Sequence, residues 1–215
     1  MWPGNHMKKN IHIEITKTAL GGTFGEPAIE LICLANVGQD ALIYQLGHDQ
    51  FHVDNNSFAA AEKFRSELQL HTVAAIQTGD MHSAWRFFGK LAHTVQDFYA
   101  HSNYVELYLA KYPGQLPEDI NPMDESLIHS DALISGKLYY PFEVITFFKG
   151  LPNRMLEMFP ADSHAKLNKD HPGRIGFEHA RQAAIYRTWL EFLGIKKMLS
   201  DDETTQFCGK NKERE

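Results

Sequence analysis

His93, Asp97 and His101 stand four residues apart in the run HTVQDFYAH. Each step of four advances an α-helix by about 400°, so the three side chains form a stripe about 80° wide on one face. An imidazole nitrogen and a carboxylate oxygen one turn apart can share a metal ion, as paired histidines do on metalloprotease helices. The neighbours Phe87, Phe88, Leu91, Phe98 and Tyr99 make this helix apolar nearly all round. Ionisable groups inside such a helix are costly unless they meet a metal or one another. Two readings follow: a metal site, or a hydrogen-bonded His/Asp network in the core. His82 lies near the same face and is placed outside the group.

Other residues of the same chemistry lie at element ends, where a site in the middle of a bundle would draw them. His12 is in NIHIEIT and Asp40 in ANVGQD. His52 and Asp54 are in FHVDNN; His164 and Asp170 are in DSHAKLNKD, followed by His171 and, further on, His179. Singly, each loop histidine reads as a solvated residue. Five separated segments beside one histidine stripe point instead to a polynuclear oxygen/nitrogen site. Imidazole plus carboxylate without thiolate suits zinc best, with other first-row metals as alternatives. Histidine is also the outlier of the composition, twelve against two cysteines. Cys33 and Cys208 have no CxxC partner, which excludes a thiolate zinc site and argues against a disulfide.

The elements that must hold these residues read as helices. A first fits Asn10 to Leu20, stopped by Gly21-Gly22. A second opens at Glu26-Pro27 and runs toward Tyr44, with proline at a tolerated first-turn position. Residues 47–56 read as a loop closed by Ser57. A long helix spans Phe58 to Gln77, and Asp80 caps the next, which carries the stripe. The stretch from Tyr112 to Tyr140, with Pro113, Pro117 and Pro122, reads as a lid or binding loop. Helix returns at Pro141 to Lys149 and again from Phe177 to Leu199. No segment alternates convincingly as a strand. The expected fold is therefore all-α, a single-domain multi-helix bundle with a metal cluster between its helices.

Length, charge and the ends narrow the function classes. At 215 residues one domain is expected, large enough to bury roughly 70% of its unfolded surface. A net charge of −6 argues against a broad nucleic-acid surface, because such binding runs on phosphate neutralisation. No run approaches the ~20 apolar residues of a membrane-spanning helix. MWPGNHMKKN lacks an apolar segment of signal-peptide type, giving the expectation of a cytoplasmic protein unless export follows a non-classical route. Residues 1–8 read as an expression remnant or disordered start, 9–199 as the helical domain and 200–215 as a polar disordered tail.

HTVQDFYAHSN, together with NIHIEIT, ANVGQD, HVDNNSF and HAKLNKD in that order, resembles the zinc-dependent phospholipase C and fungal single-strand nuclease superfamily. Within it, the resemblance is to the branch named for the fungal HET-C heterokaryon-incompatibility protein, and it covers roughly residues 9 to 193. It implies an all-α bundle with two or three zinc ions that hydrolyses phosphate esters. On the matching positions, Asp40, His52, His93 and Asp97 would hold one zinc, and His101 and His164, with Asp170, a second. His12, with Asp97 bridging, would contribute to a third. Three departures stand out. Trp2 is not terminal, whereas the family uses a processed N-terminal tryptophan at the third zinc. Ala183 stands four residues after His179, where the secreted enzymes take a carboxylate. The Asp97–His101 spacing is shorter than in the secreted phospholipases.

The resemblance implies a metal-activated hydroxide attacking phosphorus, with Asp40 orienting or deprotonating the water and a second ion polarising the phosphoryl oxygens. Asp54, Asn55, Gln96 and Asn103 would fix imidazole tautomers from behind. The negative charge ranks a phospholipid or small phosphodiester above nucleic acid, and a phospholipid brings the expectation of peripheral membrane contact. The tyrosine-rich segment from Tyr99 to Tyr140 is read either as a substrate grip or as a packed helix followed by a surface loop. Two alternatives stay open: a single-strand nuclease of the same fold, and a non-catalytic, zinc-stabilised effector or interaction module.

Overall fold

The computed structural model describes residues 5–45, 47–139 and 157–210. Numbered along these residues, the helices are α1 (Asn5–Leu20), α2 (Glu26–Gly38), α3 (Leu42–Gln45), α4 (Asp49–His52), α5 (Phe58–Gln77), α6 (Met81–His101), α7 (Tyr104–Lys111), α8 (Glu125–Ile128), α9 (His164–Leu167), α10 (Phe177–Lys196) and α11 (Asp201–Phe207). A 3-10 turn covers Pro117–Asp119. No strand occurs among the described residues, so the chain is an all-α, single-domain bundle as its periodicity predicts.

The bundle is built around α6, which packs on α2, α5 and α10, while α1 lies against α2 and α10. Asp80 starts α6 by accepting from Ser83 N at 3.1 Å, satisfying one of the orphan N–H groups of the first turn. Along α6, Phe88, Leu91 and Ala92 are fully buried with Ile32, Phe192 and Ile195 in one core cluster or beside it. Each large apolar side chain so buried contributes about 1.5–3 kcal/mol. Gly89 lets α2 come close: a Cβ there would lie 2.4 Å from Ile32 O. That close crossing brings the end of α2, with Asn36 and Asp40, over the histidine stripe.

A second cluster joins Tyr99, Tyr104, Val105 and Tyr108 to Ala183 and Ile185 of α10. The tyrosines point inward, and their hydroxyls donate to Pro122 O, Asn121 O and Asp119 O. Tyr99, Tyr104 and Tyr108 are packed beneath a surface loop.

Several boundaries differ from the sequence expectation. Within the tail expected to be disordered over 200–215, residues Asp201–Phe207 form α11, opened by a capping box between Ser200 and Glu203. Phe207 is fully buried, and its carbonyl accepts from Trp85 Nε1 at 2.7 Å; the polar run ahead of it forms the helix's solvated face. At the other end α1 begins at Asn5, inside the stretch read as a disordered start. α2 stops at Gly38 instead of continuing toward Tyr44. The 47–56 loop contains the single turn α4, too short to show a period. The helix expected at Pro141–Lys149 lies outside the described residues. No helix among the described residues is long and apolar enough to cross a membrane.

Candidate metal centre

The stripe on α6 forms as expected, with His93, Asp97 and His101 all buried on one face. Around it gather His12 from α1, Asp40 just past α2, His52 at the end of α4, Asp54 beyond it, His164 at the start of α9, and Asp170. Asp97 Oδ2 lies 2.9 Å from His52 Nδ1 and 3.0 Å from His93 Nε2. His93 Nε2 is 3.1 Å from His52 Nδ1 and 3.9 Å from Asp40 Oδ1. His12 Nε2 is 3.2 Å from Asp97 Oδ1. His101 Nε2 lies 3.4 Å from Asp170 Oδ2, and the His101 and His164 ring centres are 4.5 Å apart.

Three sets of side chains are close enough to hold an ion: His12, Asp40 and His93; His52, His93 and Asp97; Asp54, His101 and His164. Tetrahedral zinc with bonds of 2.0–2.2 Å places its ligand atoms about 3.3–3.6 Å apart. The separations above straddle that value, so the donor set fits such an ion.

Hydrogen bonds around the cluster decide which nitrogen each ring offers. Asn36 Nδ2 donates to Thr16 Oγ1 and Gln96 Oε1, both at 3.1 Å, leaving Asn36 Oδ1 to accept from His93 Nδ1 at 3.2 Å. Gln96 Nε2 donates to Thr16 and Thr188 hydroxyls, so Gln96 Oε1 accepts from His12 Nδ1 at 2.7 Å. His101 Nδ1 donates to His52 O at 2.9 Å. His164 Nδ1 donates to Asp54 Oδ1 at 2.8 Å, while its Nε2 accepts from Asn168 Nδ2 at 3.1 Å. His12, His93 and His101 thus turn Nε2 toward the carboxylates with the other nitrogen held from outside, the arrangement that orients metal-binding imidazoles.

Asp40 Oδ2, His52 Nε2 and Asp97 Oδ1 are buried without a hydrogen bond; for Asp97 Oδ1 the His12 ring is near but out of line. Buried acceptors left this way are costly, and a cation bound among them would satisfy all three. Electrostatics agree. Burial alone would depress His12, but Asp97 beside it, with Asp40 and Asp170, lifts it to about 9. Burial likewise opposes charge on His101, and Asp97, Asp170 and Asp54 raise it to about 10. His93 is pushed down by burial, which outweighs Asp97 and Asp40. Burial would raise Asp97, yet the imidazoles of His93, His101, His12 and His52 hold it well below the usual carboxylate range.

Residues 8–120 match the VWA7 N-terminal domain. The chain belongs to the VWA7 N-terminal domain family. The matched stretch carries His12, Asp40, His52, Asp54 and the whole α6 stripe, and stops before His164 and Asp170. No curated protein and no solved structure matches the chain.

Within this VWA7 N-terminal domain, not every expected residue reaches the cluster. Asn55 and Asn103 touch no imidazole. Asn55 Oδ1 accepts from Leu138 N, and Asn103 bridges Ala132 O and Ile134 N, so both tie surface segments down. Asn55 and Asn56 sit at φ 54° and 57°, a left-handed conformation that asparagine tolerates. Gly136 admits α9 to the site, since a Cβ there would meet His164 Cα at 2.5 Å. His82, His171 and His179 lie outside the cluster; His179 Nε2 donates to Gln115 O instead. Asn36 escaped sequence reasoning, although it precedes Asp40 by one helical turn, the same spacing as His93 and Asp97.

Proposed function

We propose that the chain is a zinc-dependent phosphodiester hydrolase of phospholipase C type, with two or three ions held by His12, Asp40, His52, His93, Asp97, His101, His164 and Asp170. The observation that carries this reading is the group of three buried acceptors without a hydrogen bond, Asp40 Oδ2, His52 Nε2 and Asp97 Oδ1, inside a shell of histidines whose Nδ1 protons are already committed outward. A structural His/Asp network would leave no such surplus of acceptors. Bound there, the ions would supply Lewis acidity toward a phosphoryl oxygen and toward the attacking water.

The chain's own groups divide the remaining work. Asp40 is more exposed than Asp97, at 18% of its side chain against 1%. It is the carboxylate nearer solvent, and its role would be to orient or deprotonate the attacking water. Gln96 and Asn36 hold His12 and His93 in one tautomer, and Asp54 holds His164. Turnover of a soluble short-chain phosphatidylcholine or of bis(p-nitrophenyl) phosphate by the zinc-loaded protein, lost in Asp40→Asn and His93→Ala, is the expected result. Protein that binds two or more zinc ions yet cleaves no phospholipid, nucleotide or model diester would overturn the proposal in favour of a zinc-stabilised module.

A further inference from the structure

A cavity of about 320 Å³ lies between α5, α6, α10 and the turn after α8, on the face of α6 turned away from the histidine stripe. Its walls are apolar: Phe58, Ala61, Val95, Phe98 and Leu133. The carboxylate of Glu62 and two guanidiniums, Arg65 and Arg187, also line it. Both share one carboxylate, Glu191, which is buried at 4% exposure: Arg65 Nη1 donates to its Oε2 at 2.9 Å and Arg187 Nε to its Oε1 at 2.7 Å. Arg65 has a second partner in the half-exposed Glu62, bonded through Nε and Nη2. Arg187 has no second carboxylate; its Nη1 meets the sulfur of Met123, a weak acceptor. With Glu62 the group sets two cations against two anions, and Arg187 is the guanidinium bonded to a single carboxylate at the cavity wall.

We infer that this cavity is a binding site for a single-chain anionic amphiphile, with the alkyl chain against Phe58, Ala61, Val95 and Phe98 and the anionic head on Arg187. A mainly apolar pocket with a few fixed polar groups is the usual form of a small-molecule site. The volume equals the liquid share of about ten water molecules, which suits a chain of about ten carbons. A carboxylate or alkyl phosphate head would accept from the Arg187 guanidinium at the cavity wall, which a single carboxylate, Glu191, holds from behind. None of the candidate metal ligands lines the cavity, although Val53, between His52 and Asp54, does, and occupancy of the cavity does not depend on hydrolysis.

Titration calorimetry with decanoate, below its micelle threshold, tests the assignment on the full chain. Decanoate binds; decan-1-ol, with the same chain and no charge, binds about tenfold more weakly, the size of one lost charge-assisted hydrogen bond. Arg187→Gln weakens decanoate by about the same factor. Ala61→Leu fills the wall without touching a charge and abolishes binding of both ligands while the thermal transition stays near wild type. Equal affinity for acid and alcohol, unchanged decanoate affinity in Ala61→Leu, or no decanoate binding to the wild type would each overturn the inference.

Discussion

His93 Nε2 and Asp97 Oδ2, one turn apart on α6, face each other at 3.0 Å while the His93 ring proton is on the far side, given to Asn36 Oδ1. Burial keeps His93 neutral and the surrounding imidazoles keep Asp97 ionised. A lone pair therefore points at an anion in the driest part of the bundle. That pair is favourable only with a positive charge close by. In the metal-free chain, the protons on His12 and His101 supply that charge; in the proposed holoprotein the ions do.

The exchange predicts proton release. His12 and His101, raised to about 9 and about 10, carry protons at pH 7 that ligation to Nε2 must displace. Calorimetric titration of zinc in two buffers of different ionisation enthalpy is expected to show about two protons released per chain. Identical heats in both buffers would contradict it. The sign for the metal-free chain follows from the same shifts: both pKa values are raised, so the stabilisation is full below about 6.5 and fades as pH rises through 9 to 10.

Gln96 touches no carboxylate of the cluster, yet it fixes the His12 tautomer. Gln96→Leu is expected to weaken zinc binding about 10–100-fold in competition with a chelator. Asn103→Ala, which only loosens the 132–134 segment, lowers the melting temperature and leaves zinc affinity unchanged. Equal loss of affinity in both variants would show that Gln96 acts through general stability.

Phe207 reports on the tail. If α11 closes the core as described, Phe207→Ala costs about 3–5 kcal/mol, read from denaturant unfolding. A loss below about 0.5 kcal/mol would mean that the tail contributes nothing to the packed bundle.

The α6 stripe was legible because four-residue spacing and helical period coincide, so His93, Asp97 and His101 had to share a face. His12, Asp40, His52 and His164 were legible only as motifs in a familiar order, since nothing local says that four distant segments converge. Asn36 was hidden because an asparagine in an apolar helix carries no chemical signature until its partners are seen. The tail misled for a different reason: six polar residues dominate 201–206, and the one residue that anchors them, Phe207, follows the run. α4 is a single turn, below the length at which any period exists. Asn55 and Asn103 had the right type and neighbourhood, but their directions are set by backbone conformation that composition does not record.

The central claim is that the histidine cluster binds metal, and elemental analysis of metal per chain tests it most directly. Protein purified without chelator or nickel resin, as wild type and as His93→Ala, is expected to carry two or three zinc ions, falling in the variant. A wild-type chain that holds no metal after zinc is supplied and excess removed would contradict the account, leaving the cluster a hydrogen-bonded core.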